Sequence, residues 1–236
     1  MKVQRSHASD IFRHEVKYFI SEREAFMLSQ YLRLIMRVDR HADADGQYWV
    51  RSLYFDTSGN RDYFDKVNGY FERRKLRLRI YDTKSDAAML ELKSKHGAVV
   101  HKESVQLNST EAIMLINDNC TFLPGMLNDA AGKFYTCFRR EHLRPILLID
   151  YERQAFELPL ENIRITIDRN LRASMDTLRL FDKSVPCANV MNEARCILEV
   201  KYRNAIPDFL RSILSEIRLS SVSISKYVIS RQSIYF

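Results

Sequence analysis

The chain has 236 residues, and 46% of them are hydrophobic, enough for a core and too many for wholesale disorder. Its formal net charge of +7, with both signs abundant, points to an anionic partner: nucleic acid, phosphate compounds or an acidic surface. No run approaches the roughly 18 apolar residues of a membrane span, and residues 1–10 are too polar for a signal peptide.

Six glycines and five prolines leave no room for a low-complexity linker, so 1–236 reads as a single domain. The four cysteines, Cys120, Cys137, Cys187 and Cys196, lack C-x-x-C spacing. They read as reduced thiols of a cytoplasmic protein, and a zinc site is not expected.

Residues 12–20 alternate, with Phe12, His14, Val16 and Tyr18 against Arg13, Glu15 and Lys17. Successive side chains of a strand point to opposite faces, so this is a strand with one charged face. Ser21-Glu22-Arg23-Glu24 is a capping box. The helix it opens carries Phe26, Leu28, Tyr31, Leu32 and Ile35 as a stripe for packing on a sheet. A polar loop spans 41–46. Residues 48–56 form a strand with Ser52, Tyr54 and Asp56 opposite Leu53 and Phe55. A short helix reaches about residue 66, and Asn68-Gly69 is a turn.

The stretch 72–81 is the most informative. Lys75, Arg77 and Arg79 fall on one face and Leu76, Leu78 and Ile80 on the other. Three like charges spaced about 7 Å apart along a strand repel one another unless an anion lies across them. The other reading is a solvated edge strand, where Lys and Arg block aggregation. After a hairpin loop at 82–86, residues 89–95 set Glu91, Lys93 and Lys95 opposite Leu90 and Leu92. His96-Gly97 turns the chain into a strand at 99–107 that contains Lys102.

Asn108-Ser109-Thr110 caps a helix bearing Ile113, Met114 and Ile116, and a further helix over 127–142 turns Phe134, Cys137 and Phe138 inward. Strands follow at 146–156, with Ile149, Tyr151 and Arg153 on one face, and at 163–167, with Arg164, Thr166 and Asp168 opposite three isoleucines. Two more are read at 178–185 and at 197–202, where Glu199 and Lys201 oppose Leu198, Val200 and Tyr202. Pro207 marks the start of a helix packing through Phe209, Leu210, Ile213, Leu214 and Ile217.

Strands with one oily and one charged face, separated by amphipathic helices, define an α+β chain. With the charged faces toward water it is a sandwich. With the sheet closed it is an antiparallel β-barrel whose charged faces line a lumen and whose helices cover the outside. Such a lumen traps a polyanion. Duplex DNA is too wide for it, and no aromatic platform for single strands is present, so no nucleic acid is expected. A triphosphate or a linear phosphate chain fits, and the interspersed carboxylates would hold Mg2+ or Mn2+.

Eight blocks in order carry a family likeness: Arg-His-Glu-Val-Lys-Tyr (13–18), Ser-Leu-Tyr-Phe-Asp-Thr (52–57), Arg-Lys-Leu-Arg-Leu-Arg-Ile-Tyr (74–81), Leu-Glu-Leu-Lys-Ser-Lys (90–95), Tyr-Glu-Arg-Gln-Ala-Phe (151–156), Ile-Arg-Ile-Thr-Ile-Asp-Arg (163–169), Leu-Glu-Val-Lys (198–201) and Ser-Lys-Tyr (225–227). Over about 12–227 the chain resembles the vacuolar transporter chaperone (VTC) domain, a polyphosphate polymerase module of the triphosphate tunnel metalloenzyme superfamily. The resemblance implies a tunnel-shaped barrel that transfers the γ-phosphate of ATP to inorganic polyphosphate and releases ADP. It implies Lys17, Arg77, Arg79, Lys93, Arg153, Arg164 and Lys226 as phosphate ligands and Glu199 as the ligand of Mn2+ or Mg2+. Lys102 matches a further tunnel lysine in a looser context, and Lys201 is expected to help neutralise the transferring group.

Hydrolytic tunnel enzymes begin with Glu-x-Glu-x-Lys, whereas Arg13 gives Arg-x-Glu-x-Lys here. The missing carboxylate favours a polymerase over a triphosphatase. A binding module without turnover is the third reading, and the retained Glu199 argues against it. The eukaryotic SPX sensor and membrane helices do not show in the sequence, so their regulation and translocation are not expected to carry over. No pattern specifies an oligomeric state or a membrane partner. Around the site, Lys75 and Arg74 are expected at a rim, Glu15 and Glu91 in salt bridges, and Asp168 as an orienter of Arg164 or of a turn. Lys95 and Arg169 are expected in solvent, the histidines in structural or exposed places, and Tyr54 and Tyr151 in the wall.

Overall fold

The computed structural model describes residues 14–97, 99–217 and 223–235. In chain order the elements are β1 (His14–Ser21), α1 (Glu22–Ile35), β2 (Arg37–Val38), β3 (Gln47–Asp56), α2 (Arg61–Val67), β4 (Glu72–Ile80), β5 (Ala87–His96), β6 (Val99–Asn108), α3 (Ser109–Ile116), α4 (Asp129–Glu141), β7 (Arg144–Leu158), β8 (Ile163–Ser174), β9 (Ala188–Asn189), β10 (Arg195–Tyr202), α5 (Asp208–Ser215) and α6 (Lys226–Tyr235). Arg13, the first position of the Arg-x-Glu-x-Lys motif, lies outside the described residues.

The strands make one ten-stranded antiparallel sheet in the order β1-β10-β8-β7-β3-β4-β5-β6, with β2 added to β7 and β9 to β8. The sheet curls strongly. β1 is one edge and β5 lies next to the other, yet Lys93 on β5 sits 2.6 Å from Glu15 on β1. The expected closed barrel is corrected in one respect: among the described residues β1 and β6 do not pair, so the ring is not completed by backbone hydrogen bonds. Side chains bridge the gap instead.

The oily faces point outward under helices. Leu53, Leu76, Leu78, Leu90 and Leu107 of β3–β6 pack against Leu115 of α3 and Phe134 and Phe138 of α4. Ile165, Ile167, Leu198 and Val200 of β8 and β10 pack against Leu28 and Leu32 of α1 and Leu210 and Leu214 of α5. Burying such side chains is worth roughly 1.5–3 kcal/mol each, which fixes which way the alternating strands face. α1 begins as expected: Ser21 Oγ accepts from Glu24 N at 3.2 Å, and Glu24 Oε2 accepts from Ser21 N at 2.7 Å. Its packed face is Ala25, Leu28, Ser29 and Leu32. Phe26 and Tyr31, expected on that face, are turned outward at 63% and 48% exposure.

One expected element differs from the structure, and one helix lies where no element was expected. Residues 178–185 run as turns rather than a strand, and the short strand is β9. The segment around Lys226 opens a helix, α6, which packs on β7, β8 and α2. This helix brings Tyr227 into a third apolar cluster with Tyr54, Ile149, Tyr151, Ile197 and Ile224. Tyr54 and Tyr151 share a strand face with the charged rows, so this cluster belongs to the interior of the curl. The β5–β6 turn requires glycine: Gly97 has φ +58°, and a Cβ there would lie 2.6 Å from the Phe71 ring.

Candidate functional site

Strand register brings the charged rows together. Lys17 stands opposite Glu199, and Glu15 opposite Lys201. Lys201 stands opposite Arg164, and Glu199 opposite Thr166. Arg153 faces Asp168 across β7 and β8. On the other flank Arg77 faces Glu91 and Lys75 faces Lys93, and Lys93 faces Lys102.

Four interior carboxylates are each shared by two or more cations. Glu15 holds Lys17 at 3.0 Å and Lys93 at 2.6 Å. Glu199 holds Lys201 at 2.6 Å and Lys17 at 3.5 Å. Asp168 takes Arg153 through two bonds of 2.6 and 2.8 Å and Lys226 at 2.5 Å. Glu91 takes Arg77 at 2.8 Å, Arg79 at 3.7 Å, and Lys102. Burial alone would raise these acids. For Glu15, Lys17 and the neighbouring lysines more than offset burial and hold the carboxyl at about 2. Asp168 is likewise held at about 2, by Arg153 and Lys226. Glu199 lies well below the usual carboxylate range, chiefly through Lys17 and Lys201.

Lys75 is different. Its Nζ donates to Ser225 Oγ at 2.5 Å and forms no ion pair with a described carboxylate. Burial, with Lys17, Lys66, Lys93 and Arg77 close by, depresses its pKa well below the ordinary lysine value. Burial, partly offset by Glu15, also brings Lys93 down to about 8. A cavity of about 160 Å3 opens here between Glu15, Lys17, Lys66, Arg73, Lys75, Lys93 and Ser223. An anion beside Lys75 would relieve the crowding of its amine by like charges.

Tyrosines hold the arginines. Arg77 Nη1 donates to Tyr54 Oη at 3.1 Å, and Arg79 Nη2 to Tyr151 Oη at 3.3 Å. Tyr54 stacks on Tyr227 at 5.0 Å, and Tyr227 Oη donates to Asp56 at 2.8 Å. Lys226 Nζ lies 4.9 Å over the Tyr151 ring. The expected wall role of Tyr54 and Tyr151 is therefore accompanied by direct bonds to the cations.

Lys17, Arg77, Arg79, Lys93, Lys102, Arg153, Glu199, Lys201 and Lys226 thus share one network of ion pairs or its immediate neighbours. Arg164 stands at the margin of the same face, bonded to Asp39 at 2.6 Å, Tyr48 at 3.1 Å, and Glu157. Asp168 orients Arg153 and Lys226 rather than Arg164. Lys75 is an interior residue, not a rim residue, and Lys95 lines the same cavity. Arg169 bonds Glu22 at 2.9 Å and Gln154 at 2.7 Å instead of lying free in solvent. Sequence reasoning missed Ser225 as the partner of Lys75. Its only signal was its place beside Lys226.

A curled antiparallel sheet with a cationic interior is a fold suited to holding a polyanion. The chain belongs to the VTC domain family, whose sequence profile matches residues 12–235. A Bacillus halodurans protein provisionally assigned as an adenylate cyclase shares the fold, with TM-score 0.54 and 14% identity over 96% of this chain and 100% of that one. So does a provisionally assigned adenylyl cyclase of Hippeastrum described as having a dominant triphosphatase activity, with TM-score 0.51 and 14% identity over 92% of this chain and 94% of that one. No curated protein matches the chain. No helix among the described residues is long and apolar enough to cross a membrane.

Proposed function

We propose that this domain is a polyphosphate polymerase, which transfers the γ-phosphoryl group of ATP to the end of an inorganic polyphosphate chain and releases ADP. The observation that carries this reading is the interior network in which, among the described residues, cations outnumber carboxylates and Lys75 has no counter-ion of its own. A linear chain of phosphates supplies the missing charge along its whole length.

Phosphoryl transfer needs in-line positioning and compensation of oxygen charge more than covalent chemistry. Arg77, Arg79 and Arg153 are fixed by tyrosine and carboxylate partners, so their forks are pre-set to grip phosphates. Arg164 would hold the triphosphate at the margin. Lys17, Lys93, Lys102, Lys201 and Lys226 are mobile point charges for the transferring group and the acceptor end. The attacking phosphate oxygen is already ionised, so no general base is required.

The described residues include no group of three His, Cys, Asp or Glu side chains disposed to hold an ion. The donors fit Mg2+ or Mn2+ arriving on the triphosphate, since such ions are commonly held by one or two carboxylates plus substrate phosphates. Glu199, with Glu15 nearby, would hold it, and the ion would supply further neutralisation of phosphate charge. Glu15 and Glu199 together also suit a triphosphatase in which water is the acceptor.

Incubation of the protein with ATP and Mn2+, with phosphate products resolved on a gel, separates the readings. A ladder of chains with ADP supports the polymerase, free phosphate alone supports the triphosphatase, and no turnover removes both. Arg77→Ala and Glu199→Gln are expected to reduce turnover by roughly 10²-fold or more. Full activity in Glu199→Gln would remove it from the metal role.

A further inference from the structure

A second cavity, of about 590 Å3, lies on the outer face of the sheet beneath the β4–β5 hairpin loop. Trp49, Tyr81, Lys84, Arg172, Lys183 and Cys187 are among its walls. Its origin is a row of charges across the oily side. Arg51 stands opposite Asp150, and Asp150 opposite Arg172. Arg51 takes both oxygens of Asp150, each at 2.8 Å, through Nε and Nη2. Its Nη1 donates to the carbonyl of Leu180 at 3.1 Å. Asp150 is therefore spent. Arg172 is left with a buried Nε that has no hydrogen-bond partner. Lys84 and Lys183 stand exposed around the same cavity and form no ion pair with a described residue. The nearby Asp82 carboxylate accepts from Lys84 N at 2.9 Å.

Trp49 is half-buried, with the Arg51 guanidinium 4.8 Å from its ring centroid. Tyr81 is exposed at the rim of the cavity, its ring 5.9 Å from that of Tyr48. We propose that this cleft is a binding site for a mononucleotide, separate from the tunnel. The base would lie against Trp49, as planar bases do on aromatic side chains. The phosphate would meet Arg172, Lys84 and Lys183, whose unmatched donors suit phosphate oxygens. The volume is in the range of small-molecule sites. The site does not depend on the polymerase reading: strand alternation puts Trp49 and Arg51 on the face opposite Tyr48, Ser52 and Tyr54.

Trp49 is the chain's single tryptophan, so its emission reads this cleft. The full chain is titrated with AMP, which has too few phosphates to be a strong tunnel ligand, and in parallel with inorganic phosphate. The expected result is a saturable change in emission with AMP, retained in Arg77→Ala and weakened at least about tenfold in Arg172→Ala and in the double variant Lys84→Ala/Lys183→Ala. The lysines are exposed, so their removal does not threaten folding. The proposal is overturned by no saturable change up to about 10 mM AMP, by equal affinity for AMP in the lysine double variant, by loss of the response in Arg77→Ala, or by inorganic phosphate binding as tightly as AMP.

Discussion

Glu91 is the most heavily shared carboxylate of the interior, holding Arg77, Arg79 and Lys102. Burial would raise its carboxyl, but these three cations hold it well below the ordinary range. On the function proposed above, a triphosphate would compete with Glu91 for the same guanidinium groups. Removing that charge has two opposite consequences. The empty interior gains unrelieved repulsion, and the ligand loses a competitor. Glu91→Gln is therefore expected to lower the melting temperature without ligand and to bind tripolyphosphate about tenfold tighter, or about 1.4 kcal/mol. Calorimetric titration and thermal melts with and without tripolyphosphate check both halves. Weaker binding would show that Glu91 aligns the arginines for the ligand instead of competing with it.

At the scale of elements, Arg51 and Asp150 lie in the middle of β3 and β7 and are 2% and 3% exposed. Their bidentate pair joins two central strands on the oily side, and Arg51 also ties the turns at Leu180 and Asp182 to the sheet. Removing one member of a buried pair leaves the other charge stranded, at a cost of roughly 3–5 kcal/mol. Asp150→Ala is expected to lose about that much in urea denaturation; a loss under ~1 kcal/mol would mean that the carbonyls alone satisfy Arg51. The pair also marks a limit of reading the sequence. Alternation made β1, β4, β5, β8 and β10 legible, because an oily row must go to one side of a sheet. Arg51 breaks that row beside Leu53 and Phe55, and only its cross-strand neighbour explains why. Lys75 belongs to the same alternating row as Arg77, but its depth depends on Ser225, 150 residues away. α6 has almost no amphipathic signal because it packs inside the curl with both polar and apolar sides. The rotation of α1 was ambiguous because Phe26 and Tyr31 are as apolar as the residues that do pack.

For the whole molecule, the decisive feature is that the sheet curls without closing. Its central strands have neighbours on both sides, whereas β1 and β6 each leave one edge without a strand partner among the described residues. The visible bridge from β1 across the gap is the Lys93–Glu15 pair, with side chains 36% and 19% exposed. Pairs this accessible contribute only about 0–1 kcal/mol, and Lys17, Lys75 and Lys93 repel one another around it. A phosphate chain lying between these lysines would convert the repulsion into shared attraction and tie β1 to β4 and β5. Local opening of edges governs exchange of their amides, so hydrogen exchange is the measurement suited to this seam. Tripolyphosphate is expected to slow exchange in β1 and β6 much more than in β3 and β7, and Glu15→Gln to speed exchange in β1 when no ligand is present. Equal protection of all strands would show a uniform gain from ligand linkage, and the seam would then not be where the ligand acts.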